Sequence, residues 1–262
     1  MPISFAQIPS NIMVPLYWVE VDPSMAGLPT LNLRALLVGT MTSDGSAPPD
    51  IPVAIGTLAQ AEEKFGIGSE LARMFKIFYK NNFANEVWGA PVAEPVGATA
   101  ATGKITVTTA PTEAGTIHIY IGGQHVPVNV GGTDTAAQVA TAIVEAIEAH
   151  DDLPVSAVIN GTTPTEIDLT CMWKGVNGND IRVEDNYFGQ IGGEVSPMGL
   201  VITYPATSFL TGGAGVPEFD NLIINMGEQA FEYICLPFTD STSLMAFEEE
   251  FGFGDDGRWG WK

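Results

Sequence analysis

Cysteine is scarce in this chain, and so is positive charge. Cys171 and Cys235 are the two cysteines, far apart and each inside its own apolar run. Such a pair makes neither a disulfide framework nor a zinc site. Buried free thiols are the expectation, as in a reducing cytoplasm. Lysine and arginine total 10 against 31 aspartates and glutamates, for a formal net charge of −21. With no basic stripe to displace counterions from phosphate, nucleic-acid binding is disfavoured, and so is adhesion to anionic membranes. No apolar run is long enough to span a bilayer. Residues 1–25 lack the basic n-region, unbroken apolar stretch and small-residue cleavage site of a signal peptide. Gly-Lys-Ser/Thr, Gly-x-Ser-x-Gly, His-Glu-x-x-His and Cys-x-x-Cys are all missing.

What is present begins at the terminus. Pro2, Pro9, Pro15 and Pro23 break helical continuity, and no charge precedes Glu20. Ile12, Val14, Leu16, Tyr17, Trp18, Val19 and Val21 make an apolar strand that needs a sheet to join. That sheet is either its own, with this segment as an edge strand, or a neighbour's, by strand donation.

The 262 residues allow one large domain or two modest ones. Residues 33–38 read as a buried strand. Thr57-x-x-Gln60 opens a short helix that Gly66 and Gly68 stop, and Ser69 caps a second helix through about Asn81. Leu71, Met74, Phe75 and Phe78 form its apolar stripe, and 87–92 is the next strand. Residues 95–103 read as a small-residue linker. Strict alternation follows, with Gly122-Gly123 as a hairpin turn that sets Ile121 opposite Gln124, Ile119 opposite Val126 and Ile117 opposite Val128. Thr135-x-x-Gln138 starts a helix with Val139, Ile143 and Ile147 inward, and strands follow near 155–159 and 167–171. Gly-rich 211–216 marks a second boundary, and Pro217 reads as the first residue of a helix running to about Ala230. Residues 233–238 read as a buried strand, and 241–251 as a helix burying Leu244, Phe247 and Phe251.

The predicted fold class is α/β. A discontinuous, incomplete α/β core domain (26–97 and 210–262) follows an extended arm (1–25) and carries an inserted strand-rich α+β module (98–209). Trp259 and Trp261 call for a partner surface that completes the core, from a continuing polypeptide or another subunit.

Candidate chemistry is sparse. Gly66-Ile67-Gly68 follows a helix, and Gly213-Ala214-Gly215 has Glu218 where a third glycine belongs, so both read as turns and caps. His118, Tyr120, His125 and Asn129 share one hairpin face. The two histidines could hold a metal, but no third His or Cys lies nearby, and an exposed polar face explains them equally. The Asp151-Asp152 and Asp255-Asp256 pairs read as loop or cap carboxylates, and Glu248-Glu249-Glu250 as a solvated helix face. The reading assigns no catalytic residue, metal or cofactor.

Several stretches together resemble one family. They are the terminal ISF, IPSN, VPL and EVD, LARMF at 71–75, NEVW at 85–88, IYIGGQ at 119–124, TAAQVA at 135–140, GNDI at 178–181, FLTGGAG at 209–215, LPFTD at 236–240 and GRW at 257–259. Their order and spacing resemble the Mu-like contractile phage tail sheath proteins, of which this chain looks like an N-terminal portion. The resemblance implies a structural subunit that polymerises around a tail tube and contracts, with no catalytic role. Its partners would be neighbouring sheath subunits, the tube, the baseplate and the tail terminator. It would be assembled in the host bacterial cytoplasm and end in the virion tail. The resemblance also favours strand donation by Ile12 to Val21. Rival readings are a surface adhesin using the insert, and an acidic enzyme with a site between core and insert.

Overall fold

Arg34–Thr40 forms strand β1 because its run of small and branched apolar residues is buried on both faces. The chain divides into two units, Met1–Asn32 and Leu33–Lys262. The structure, a computed structural model, describes residues 33–81 and 85–253, all in the second unit.

From β1 the chain passes through a short strand β2 (Val53–Ile55), helices α1 (Leu58–Phe65) and α2 (Glu70–Asn81), and strand β3 (Glu86–Val92). Local capping sets both helices. Thr57 accepts from the Gln60 amide, while the Ser69 hydroxyl accepts from Ala72 N at 3.1 Å. The insert contributes β4 (Ala100–Thr109), β5 (Gly115–Ile121), β6 (Gln124–Val130), α3 (Ala136–Glu148), β7 (Val155–Ile159), β8 (Glu166–Lys174), β9 (Val183–Asp185) and β10 (Val201–Thr203). Helix α4 (Asp220–Met226), strand β11 (Tyr233–Cys235) and helix α5 (Ser241–Phe251) complete the described chain.

The first sheet has the order β11-β1-β3-β2, with β1 parallel to β3 and β11, and β2 antiparallel. Alternation along β1 feeds two cores. Ala35 and Leu37 pack with Phe65, Leu71 and Phe75 of α1 and α2. Leu36 and Val38 face Leu222, Met226 and Phe247 of α4 and α5, with Phe219 and Phe238. Each fully buried large apolar side chain contributes about 1.5–3 kcal/mol. This three-layer arrangement is the α/β class read from the sequence.

The insert has its own core, between sheet β10-β4-β8-β7, sheet β6-β5-β9 and helix α3. The hairpin register is the one alternation dictated: Ile121↔Gln124, Ile119↔Val126 and Ile117↔Val128. Thr135 and Gln138 close a full capping box on α3, and Val139, Ile143 and Ile147 are buried.

Four expectations are corrected. The segment 95–103 is a linker only in its first half, since β4 starts at Ala100 and Ala101 is fully buried. Its small residues serve close packing: Thr99 and Thr102 pair with Ala214 and Thr211, zipping the incoming chain to the outgoing one. A Cβ at Gly213 would lie 2.5 Å from the Gly175 carbonyl oxygen, so only glycine fits that approach. Helix α4 starts at Asp220 rather than Pro217 and ends at Met226, because Phe219 is drawn into the core against Phe238 and Phe247. The strand read over 233–238 stops at Cys235. Among the described residues it pairs only with β1, which leaves Tyr233 and Cys235 exposed. On α5, Leu244 points outward. Ser243 is buried in its place, with its amide and hydroxyl both donating to Asp240.

Candidate functional site

Helix α2 has a second face that the apolar stripe hides. Glu70, Arg73 and Lys76, three residues apart, line up along it and grip the insert. The Glu70 carboxylate accepts from Thr40 N (3.1 Å) and Thr40 Oγ1 (2.8 Å) at the end of β1. It also accepts from Asn177 Nδ2 (2.7 and 2.8 Å), in a 3-10 turn over Val176–Asp180 of the insert. Burial raises the Glu70 pKa above the carboxylate norm, against the opposing pull of its hydrogen bonds from Thr40 and Asn177. One turn on, Arg73 donates to the Asp152 carbonyl (2.6 Å), the Gly122 carbonyl (3.1 Å) and Gln124 Oε1 (3.4 Å). Burial lowers its pKa, which the nearby Asp152 charge partly offsets. Lys76 completes the row with an ion pair to Asp152, whose other oxygen accepts from Gln124 Nε2 at 2.8 Å. Burial pushes the Asp152 carboxyl upward, but the Lys76 and Gln124 hydrogen bonds outweigh it and hold the pKa below the usual range.

These polar ties join residues 98–209 to α2 and β1, while the paired connectors hold the entering and leaving chain together. No role was read for the polar face of α2 from the sequence. Its spacing gives a row of charges, but the partners in residues 98–209 are 49 to 107 positions away.

The polar hairpin face is a second cluster. His118 on β5 and His125 on β6 stack, with ring centroids 5.2 Å apart and His118 Nδ1 3.0 Å from His125 Nε2. Tyr120 stacks on His125 at 4.9 Å and donates its hydroxyl proton to Glu194. Glu194 is buried, and its second oxygen accepts from the Phe188 amide at 2.9 Å. Burial acts to raise the Glu194 pKa, but hydrogen bonds from Tyr120 and Phe188 and the field of the two imidazoles prevail, so it lies below the usual range. Burial and the same carboxylate push the Tyr120 phenol up to about 12. Exposed Tyr187 and Phe188 complete an aromatic cluster around Tyr120. Sequence reading grouped His118, Tyr120 and His125 but missed Glu194. It sits 74 positions after Tyr120 in a glycine-rich loop that carries no ligand signature.

The strand candidates Ile12, Val14, Leu16, Tyr17, Trp18, Val19 and Val21 lie outside the described residues, as do Trp259, Trp261 and the Asp255-Asp256 pair. Asp152 is engaged in the α2 clamp, and Glu248 and Glu249 are exposed. A groove of about 710 Å3 lies within the insert, lined by threonines together with Lys104, Asp168 and Phe209. Its lysine is paired with Glu166 at 2.6 Å.

These features define an α/β protein in which the polar face of α2 ties the first sheet to the strand-rich segment that follows it. The chain is 38% identical over 246 residues to the Mu-like prophage FluMu tail sheath protein of Haemophilus influenzae, covering 93% of this chain and 49% of that protein. The resemblance carried by the sequence motifs to Mu-like tail sheath proteins therefore holds along nearly the whole chain. This chain spans about half the length of the relative it matches. A solved structure, the sheath tail protein Lin1278 from Listeria innocua, aligns at 14% identity with a TM-score of 0.27, covering 84% of this chain and 44% of that one. No family model matches the chain.

Proposed function

We propose that this chain is part of a contractile tail sheath subunit that polymerises around a tail tube and contracts to drive it through a host envelope. The similarity to the Haemophilus influenzae tail sheath protein over 93% of the chain carries this reading. The role is structural, and no catalytic step is assigned. Neighbouring subunits would be the main partners, with the tube, baseplate and tail terminator at the lattice boundaries. Assembly would take place in the host bacterial cytoplasm, and the product would be the virion tail. Contraction by rigid-body rearrangement requires domains that move without deforming. The α2 clamp and zipped connectors support that, since they hold core and insert as one body. Strand exchange by Ile12 to Val21 would keep the lattice connected, with Trp259 and Trp261 contacting the rest of the core. The high negative charge keeps subunits apart until specific contacts form.

Electron microscopy and light scattering test the reading. The chain alone is compared with a chimera that adds the part of the Haemophilus influenzae relative outside the matched region. Tubular polysheaths from the longer chain only are expected. Monodisperse monomers from both would remove the assembly argument.

A second reading, the insert as a ligand-binding module of an adhesin, draws on the exposed Tyr187–Phe188 cluster, 59% and 62% exposed. Glycan or surface-protein binding that Tyr187→Ala and Phe188→Ala abolish would favour it.

A further inference from the structure

From the geometry of the polar hairpin face, we propose that His118 Nδ1, His125 Nε2 and a carboxylate oxygen of Glu194 bind a divalent transition-metal ion of the zinc class. This goes beyond the sheath reading and does not depend on it.

The three ligand atoms lie within 4.8 Å of one another. Zinc sits about 2.0–2.2 Å from nitrogen and carboxylate ligands, which places cis ligand atoms roughly 3–3.4 Å apart. The two ring nitrogens already stand at 3.0 Å. The Glu194 oxygen, within 4.8 Å of both, would have to draw closer to complete the set.

The scaffold fixes each ligand. Paired strands β5 and β6 hold the imidazoles, with Tyr120 directly opposite His125 in the register. The loop carboxylate is pinned by Tyr120 and by the Phe188 amide, as a ligating carboxylate is pinned by its outer hydrogen bonds. His125 is exposed and Glu194 buried, so the site is open on one side and anchored on the other. Two imidazoles and one carboxylate suit zinc, copper or nickel better than magnesium or calcium, which take oxygen-rich sets. Three protein ligands leave a fourth position for water.

Without metal, the two near nitrogens share one proton in a hydrogen bond. On binding, each presents a lone pair to the ion, and each neutral imidazole keeps its proton on the far nitrogen.

The test uses the chain free of any affinity tag, stripped with chelator and titrated with zinc chloride by calorimetry, with the bound metal counted by mass spectrometry. About one ion per chain is expected, undiminished by a tenfold excess of magnesium or calcium. At a hundredfold excess over Kd, the melting midpoint should rise by roughly 5–11 °C. His125→Ala removes an exposed ligand and should abolish both effects while leaving the circular dichroism unchanged. Tyr120→Phe, which keeps the ring and frees the carboxylate, should weaken binding about tenfold. No binding above the buffer baseline overturns the proposal. So does His125→Ala that binds zinc as the parent does, since the ion would then sit elsewhere on the acidic surface.

Discussion

Replacing Glu70 by alanine should loosen the insert from the sheet. The change strands three donors, the amide and hydroxyl of Thr40 and the side-chain amide of Asn177, on residues only 1% and 7% exposed. Each unpaired buried donor costs about 1–3 kcal/mol, so the three cost about 3–9. Some of that is recovered, because burying the carboxylate is itself unfavourable, as its raised pKa shows. The expected net loss is about 3 kcal/mol, a fall of roughly 6–12 °C in Tm. Glu70→Gln should cost less, since burial already favours the neutral form. Asn177→Ala removes the other half of the contact, and the double variant should fall short of additivity by about 1.5–3 kcal/mol. Urea unfolding of the four proteins measures this. A Glu70→Ala loss below about 0.5 kcal/mol, or full additivity with Asn177→Ala, would refute the clamp.

The other predictions concern the second tie, a helix stop and the first sheet. Because the Asp152 pKa is depressed in the fold, its stabilisation is present above the unfolded value of about 3.9 and is lost as pH falls through the folded value. Asp152→Asn should therefore cost about 1 kcal/mol at pH 7, limited by the half-exposed Lys76, and less at about pH 3, below the unfolded value. Equal gaps at both pH values would count against the ion pair. A Cβ on Gly66, at a φ of 87°, would lie 2.0 Å from Thr42 Oγ1, so Gly66→Ala should cost at least about 2 kcal/mol in a thermal melt. A loss under about 0.5 kcal/mol would show that the helix stop is not tight. Leu36→Ala, at a fully buried site in β1, should cost about 2–5 kcal/mol by urea unfolding, and a surface-like cost would contradict the two-sided burial of the sheet.

Legibility in the sequence followed the range of the interactions. The hairpin register was readable because a two-residue turn and a period of two fix every pair between Ile117 and Val128. Thr57, Ser69 and Thr135 were readable as caps because each bonds to an amide three residues away. Leu71 and Phe75 were readable because helical spacing puts them on one face. The small-residue segments were ambiguous, since glycine, alanine and threonine serve loose linkers and close backbone approach alike. Only the pairing of Thr99 with Ala214 and of Thr102 with Thr211 decided for the second. Cys235 and Leu244 were misread because an apolar side chain does not announce whether a neighbouring element covers it.

The sequence by itself determined the α/β class, the caps, the hairpin and the likeness to tail sheath proteins, all set by local spacing or by motif order. Only the tertiary structure decided that Glu70, Arg73 and Lys76 reach residues 122–177, and that Glu194 lies beside His118 and His125. Those contacts join residues far apart in the chain, and their partners exist only once the separate cores have packed and fixed the loops between them.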